Sequence, residues 1–315
     1  MIAEILTAQV LIGVLSSGVR LATPYLFAAL GETFGQRSGV LNLGVEGIML
    51  MGAFSAFYVT FQTNSPWLGL LAAIVVGGLM GLAMAFISVT LQAEQGISGI
   101  GVYLFGLGLS DLLFQKMLGT VETVKGFPTL RIPALEQSSS LFVRAIDDIF
   151  LSHTVLVYAA FALVPISAFI LNHTTLGLKI RAVGQNPQAA DTLAVSVEKV
   201  RYFTVTLGGV MSGIAGASLS IALLNVFQQN MTAGQGFIAI ALVYFGAWRP
   251  FGVLVGAMFF SLVNALQVWV QVLGLPIPSD IAVMMPYVLT ILALVVAVQR
   301  VQQPAALTKI FERGE

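Results

Sequence analysis

The sequence predicts an all-helical, polytopic membrane protein, and three observations carry that reading. Of its 315 residues, 57% are hydrophobic and 9% are charged, against about 25% charged in an ordinary soluble domain. Fourteen Lys and Arg balance fourteen Asp and Glu, so no net field draws nucleic acid or holds so apolar a chain in water. The 32 glycines suit helices that approach backbone to backbone in lipid. No cysteine is present, which excludes disulfides, thiolate metal sites and a cysteine nucleophile. The Met-Ile-Ala-Glu start lacks the positive region of a secretory signal, so the first apolar run is expected to be retained.

A helix needs about 20 apolar residues to cross a hydrocarbon core of about 30 Å. With the charges as punctuation, about ten transmembrane segments result, at 3–19, 21–34, 40–60, 67–91, 97–118, 154–171, 202–223, 235–248, 251–272 and 279–299. Only Arg20 and Thr23-Pro24 separate the first two, which are either two crossings or one long helix with a proline break. Segment 235–248 is short, and is expected to be tilted, extended upstream or re-entrant. Basic residues set the orientation. With both termini cytoplasmic, the inner side holds Arg37, Lys179, Arg181, Lys199, Arg201, Arg249, Arg300, Lys309 and Arg313. The outer side keeps Arg20, Lys116, Lys125, Arg131 and Arg144, mostly in a loop over about 119–153. Its Pro128, Pro133, Ser138 to Ser140 and Asp147-Asp148 suit an extracellular cap. The whole chain, 1–315, is expected to be one transmembrane domain.

An internal echo divides these segments into a 5+5 inverted-topology repeat. Asn42-Leu-Gly-Val-Glu46-Gly47 and Met231-Thr-Ala-Gly-Gln235-Gly236 both read as a small-rich turn, then Glu or Gln, then Gly, then an apolar helix. Each precedes the third segment of its own half, and the halves enter from opposite sides. Such repeats carry substrate paths near the midplane, at discontinuous helices whose starts offer unpaired backbone donors. Asn42, Glu46, Gly47, Gln235 and Gly236 are therefore the expected substrate-pathway residues.

Ionisable groups inside a membrane need a reason, and Glu32, Glu46 and Asp111 are the candidates. Glu46 either accepts backbone hydrogen bonds or a polar substrate at its turn, or caps a helix start facing water. Asp111 is expected to pair with Gln115 or Lys116, one turn away. His153 and His173 bracket one apolar segment and lie about 30 Å apart at ~1.5 Å per residue, so they build no common metal site. No phosphate loop, His-Glu metal motif or nucleophile cluster occurs, and no enzyme activity is expected. The pairs Gly77 and Gly81, Gly209 and Gly213, and Gly252 and Gly256 have the spacing for close helix packing.

The inner loop over about 172–201 is a structured projection. Leu176, Ile180 and Val183 fall on one helical face. Asn186 suits an N-cap and Pro187 the first position of a second short helix, with the two helices joined at Gly184. Lying flat on lipid is the competing reading.

Three stretches carry a family resemblance: 35–47, beginning Gly-Gln-Arg-Ser-Gly-Val-Leu-Asn; 177–190, Gly-Leu-Lys-Ile-Arg-Ala-Val-Gly-Gln-Asn-Pro-Gln-Ala-Ala; and 236–250, ending Gly-Ala-Trp-Arg-Pro. In order and spacing the chain resembles the permease subunit of an ATP-binding-cassette importer, in the family for simple sugars, nucleosides and branched-chain amino acids. It looks most like the shorter permease of the nucleoside branch. The resemblance implies a bacterial or archaeal cytoplasmic membrane location and a second, related permease partner. It also implies cytoplasmic ATPase subunits that bind ATP and Mg, and an external substrate-binding lipoprotein. This chain itself would bind no cofactor. Gly177, Arg181, Gly184, Asn186 and Pro187 would then couple to the ATPase. A secondary transporter or channel for small polar solutes is the alternative, although a secondary transporter needs midplane carboxylates that this sequence scarcely offers.

Overall fold

In a computed structural model, which describes residues 8–130, 145–273 and 302–312 with positions 284, 288, 291, 292 and 295, the apolar runs become helices. They are α1 (Ala8–Arg37), α2 (Val45–Thr63), α3 (Pro66–Ala85), α4 (Gln95–Met117), α5 (Val155–His173), α6 (Thr175–Gln185), α7 (Pro187–Thr192), α8 (Val197–Ser218), α9 (Gln235–Phe245) and α10 (Pro250–Val272). π-helical turns extend α3 over Phe86–Thr90 and α8 over Leu219–Leu223. Among the described residues, α1, α2, α3, α4, α5, α8 and α10 are long and apolar enough to cross a membrane. The expected segment 279–299 lies largely outside the described residues. So do residues 131–144 of the expected cap, Arg300 and Arg313.

Segments 3–19 and 21–34 prove to be one helix from Ala8 onward, with Pro24 inside it. Pro24 removes one backbone hydrogen bond, yet Ala22 through Gln36 are all buried. A chain surrounded by apolar side chains and lipid satisfies its other backbone groups only by remaining helical. A helix buried all round belongs at the centre of a bundle, and α1 packs against α8, α10, α9 and α5. At 1.5 Å per residue its 30 residues span about 45 Å. Ala8 and the 302–312 tail, which bonds to Gly39, therefore lie toward opposite ends of α1.

Close packing explains the glycine pairs. Gly77 and Gly81 of α3 press on Gly209 and Gly213 of α8: a Cβ at Gly77 would sit 2.5 Å from the Gly209 carbonyl oxygen. Two of the three expected pairs thus form a single contact. The third joins α10 to the end of α9, with a Cβ at Gly252 falling 2.2 Å from the Gly246 carbonyl oxygen. Leu71, Val75, Leu79, Leu82 and Phe86 make an exposed stripe on α3, which costs nothing where the solvent is lipid. In the loop expected on the outer side, Val124 and Phe127 donate backbone N–H groups to the carbonyls of Asn225 and Ile221. The Phe127 ring meets Trp67 at 4.9 Å, so the described part of that loop is seated on the bundle.

Candidate functional site

The two echoed motifs meet. Glu46, 1% exposed, accepts the Thr232 hydroxyl at 2.5 Å and the Gly234 N–H at 2.7 Å on Oε1. Its Oε2 accepts the Gly236 N–H at 2.5 Å. The first N–H groups of a helix have no intrahelical acceptor. Here a carboxylate from the start of α2 supplies one to α9, which also places negative charge at the positive end of the α9 dipole. Of the options open in the sequence, Glu46 takes the backbone-bonding one, and its donors come from the second motif. It does not cap a water-facing turn.

The backbone before α9 needs that support. Asn225, Asn230 and Ala233 have φ of 56°, 52° and 45°, a left-handed region costly for residues with a Cβ. Only Gly234, at φ 87°, sits there freely. The helix that follows has 11 residues, about 16 Å at 1.5 Å per residue, or half a crossing. α9 is thus the discontinuous helix that segment 235–248 suggested. It begins against Glu46 and ends beside Arg37, where Arg37 Nε donates to the Trp248 carbonyl at 2.8 Å.

The other pathway candidates surround this junction. Asn42 is buried; its Oδ1 accepts the Gly44 N–H at 2.9 Å and its own N–H donates to Glu32 Oε1 at 3.0 Å. Asn42 Nδ2 and Gln235 Oε1 have no hydrogen-bond partner. At Gly236 a Cβ would fall 2.6 Å from the Glu46 N and Cα atoms, and at Gly47 2.6 Å from the Tyr103 Cα. Both glycines hold backbones together. The Tyr103 ring meets the half-exposed Phe237 ring edge to face at 5.2 Å, forming an aromatic wall beside the junction.

Sequence reasoning missed a polar chain beneath it. Glu32 Oε1 also accepts Gln36 Nε2 at 3.1 Å, and Gln36 Oε1 accepts Trp248 Nε1 at 2.7 Å. The four-residue spacing of Glu32 and Gln36 was a readable signal; Trp248, 212 residues away, gave none. Asp111 makes no hydrogen bond or ion pair with Gln115 or Lys116, contrary to expectation. α4 carries it on a partly open surface where water or lipid headgroups can meet it.

The projection expected on the inner side forms as two capped helices. Thr174 Oγ1 accepts the Gly177 N–H at 3.1 Å, and Asn186 Oδ1 accepts the Ala189 N–H at 3.0 Å, with Pro187 in the first turn. Two details differ from expectation. The helices join at Asn186, because Gly184 stays helical and packs its bare Cα on the Arg37 carbonyl. The buried face runs through Gly177, Ile180, Val183 and Gly184, while Leu176 is exposed; Gly177 wins that place because only hydrogen fits against the Ile170 and Leu171 carbonyls. Arg181 lies half-buried beside Arg37 and Arg249. Gln185, Asn186, Gln188 and Leu193 face outward.

The tail adds a brace that sequence gave no sign of. Ala306 N–H donates to the Gly184 carbonyl at 2.9 Å and Thr308 N–H to Gly39 at 3.1 Å. Buried Arg201 donates Nε to the Ser38 carbonyl at 3.3 Å and Nη1 to Lys309 at 3.2 Å. The α6 helix, the turn at Ser38 and Gly39 and the tail are therefore one unit. His153 and His173 flank opposite ends of α5, and no group of three His, Cys, Asp or Glu suited to a metal occurs among the described residues.

Residues 14–294 match the family model described as branched-chain amino acid transport system, permease component. The chain is 40% identical over 268 residues to a putative glucose ABC transporter permease protein of Haloferax volcanii, covering 85% of this chain and 80% of the relative. It is 36% identical over 296 residues to the guanosine ABC transporter permease protein NupQ of Bacillus subtilis, covering 90% and 92%. A nucleoside ABC transporter permease protein of Lactococcus lactis is 34% identical over 296 residues, with the same coverage. No solved structure matches the chain.

Proposed function

The chain belongs to the branched-chain amino acid transport system permease family and is a permease subunit of an ATP-binding-cassette importer, and on that premise we propose that it passes nucleosides across the cytoplasmic membrane. It is not an enzyme; ATP hydrolysis belongs to separate ATPase subunits. In this reading ATP and Mg bind those subunits on the cytoplasmic side, a second related permease completes the pathway, and an external lipoprotein delivers the solute. The inner projection, 172–201, is the coupling region, with Asn186 and Pro187 setting its outward shape, Gly177 and Gly184 fixing it to the bundle, and Arg181 standing beside Arg37 and Arg249. The tail shares its cytoplasmic side.

One observation carries the substrate reading. The Glu46 junction fixes two helix starts in a buried place, leaves the Asn42 Nδ2 donor and the Gln235 Oε1 acceptor without partners, and stands beside the Tyr103 and Phe237 rings. Amide groups suit ribose hydroxyls and base edges, and an aromatic wall suits the flat face of a base. Glu46 serves by shaping the junction rather than by touching solute. The names of the guanosine and nucleoside relatives favour the same class, while the 40% identical relative, named for glucose, keeps a sugar as the second reading. Uptake of radiolabelled guanosine, adenosine, cytidine and glucose by the reconstituted complex, driven by ATP, decides between them. Glucose uptake without nucleoside uptake overturns the proposal.

A further inference from the structure

Three guanidinium groups converge at the cytoplasmic end of the bundle with no acid among them. Arg37 ends α1, Arg181 stands on α6 and Arg249 precedes α10. Together with Gln185, Trp248 and Gln302 they line a hollow of about 160 Å³. Arg37 spends Nε on the Trp248 carbonyl, and Arg181 Nε is buried without a partner. Among the described residues, no carboxylate forms an ion pair with any of the three. Like charges held this close repel unless an anion joins them, and forked guanidinium donors match the oxygens of a phosphoryl group.

The surroundings identify where that group comes from. Arg249 is exposed at the lip of the hollow. Beyond it α10 exposes Phe251, Val255 and Phe259 at four-residue spacing, one straight apolar stripe running into the membrane. A headgroup held at the arginines would lay its acyl chains on that stripe. We propose that the Arg37, Arg181 and Arg249 hollow binds the phosphate of an anionic phospholipid from the cytoplasmic leaflet, and so ties the coupling helix α6 to the lipid around α10. Basic pockets between helices on the cytoplasmic side are suited to such headgroups. The inference takes the cytoplasmic placement of this face from the proposed function but is independent of the solute carried.

The test is retention of phosphatidylglycerol by the purified importer complex in detergent, read by native mass spectrometry. Melting temperature is followed in phosphatidylcholine nanodiscs with and without added phosphatidylglycerol. Wild type should keep the lipid and gain thermal stability from it. Arg249→Gln and Arg181→Gln, chosen because neither side chain makes a hydrogen bond that the fold needs, should each weaken retention about fivefold, and the double variant should lose the stabilisation. Inorganic phosphate should not replace the lipid. Equal retention in wild type and double variant overturns the proposal. So does full replacement by free phosphate, which would make the hollow a soluble-anion site. Loss of ATPase subunits from the variants with lipid retention unchanged would assign the hollow to an acidic group of the ATPase instead.

Discussion

Glu46 and Gly236 face each other across the meeting point of two helix starts: the carboxylate accepts the Gly236 N–H at 2.5 Å, and the glycine has no room for a side chain because Glu46 backbone atoms lie 2.6 Å from where a Cβ would be. A buried ionised group in a membrane is tolerated when it is fully bonded, and here Thr232, Gly234 and Gly236 supply the donors. The same bonds hold a stretch that includes left-handed Asn230 and Ala233. The charge, the strained turn and the half-length helix α9 therefore explain one another.

Glu46→Gln tests this arrangement. The amide keeps the size but can turn only one oxygen to the donors, so at least one backbone N–H is left facing an NH2 group. A lost charge-assisted bond and a buried orphan donor together cost about 1–3 kcal/mol. The melting temperature of the purified complex should fall and uptake should drop, with subunit ratios unchanged. Unaltered melting and uptake would remove Glu46 from its structural role. Gln235→Ala leaves the turn intact and should raise the solute concentration for half-maximal uptake without lowering the melting temperature.

At the α3–α8 contact the expected effect is steric. In Gly209→Ala the new Cβ would stand 2.4 Å from the Gly77 carbonyl oxygen and 2.5 Å from the Gly81 Cα. The helices must separate, at about 1–3 kcal/mol for overpacking. Gly108→Ala, where nothing lies within 4 Å, is the control and should leave the melting temperature unchanged.

Much of this was legible in sequence, and the gaps have physical causes. Among the described residues, the seven helices long enough to span, the short α9, the two glycine-pair contacts and the Asn186 cap follow from apolar length, small-residue spacing and cap chemistry, all local properties. Pro24 left one or two crossings open because proline breaks helices in water, whereas α1 is buried at that point and has no solvent to receive its backbone. The pairing of Glu46 with the 232–236 turn was suggested only as an echo, since a long-range bond leaves no local trace. Trp248 on Gln36 and Ala306 on Gly184 left none at all: both are contacts of ordinary residues made specific by the fold.

Acidification should loosen the segment that precedes α5 through His153. The ring is buried, its Nε2 donates to the Ile149 carbonyl at 2.8 Å and Nδ1 has no partner. Burial lowers its pKa; the Ile149 bond opposes that shift, and Arg20 adds to it. A histidine with a lowered folded pKa binds more protons when unfolded, so stability rises with pH. Its contribution is complete above the unfolded value of about 6.5 and is lost as pH falls through that value toward the lowered folded one. The melting temperature of wild type should therefore fall between pH 7 and pH 5.5 by more than that of His153→Gln. Parallel profiles would show that His153 does not titrate on unfolding.

The proposed coupling region yields the last prediction, because its stiffness has two separate sources. Asn186 Oδ1 caps α7 through the Ala189 N–H, and the tail braces α6 through the Ala306 N–H on the Gly184 carbonyl. A six-residue helix is too short to hold itself. Asn186→Ala should thus cost about 0.5–2 kcal/mol locally and fray α7, while Ile180 and Val183, fully buried, keep α6 in place. Removing residues 302–315 acts on α6 and on the first turn together, since Thr308 also bonds to Gly39 and Lys309 to Arg201. A rigid element passes on the displacement of its partner, and a frayed one absorbs it. Both variants should keep ATPase subunits bound at normal ratio yet lose stimulation of ATP hydrolysis by loaded binding protein, the truncation more than Asn186→Ala. Normal stimulation in both would make the projection a surface helix with no part in coupling; loss of subunits in Asn186→Ala would make the cap part of docking rather than of transmission.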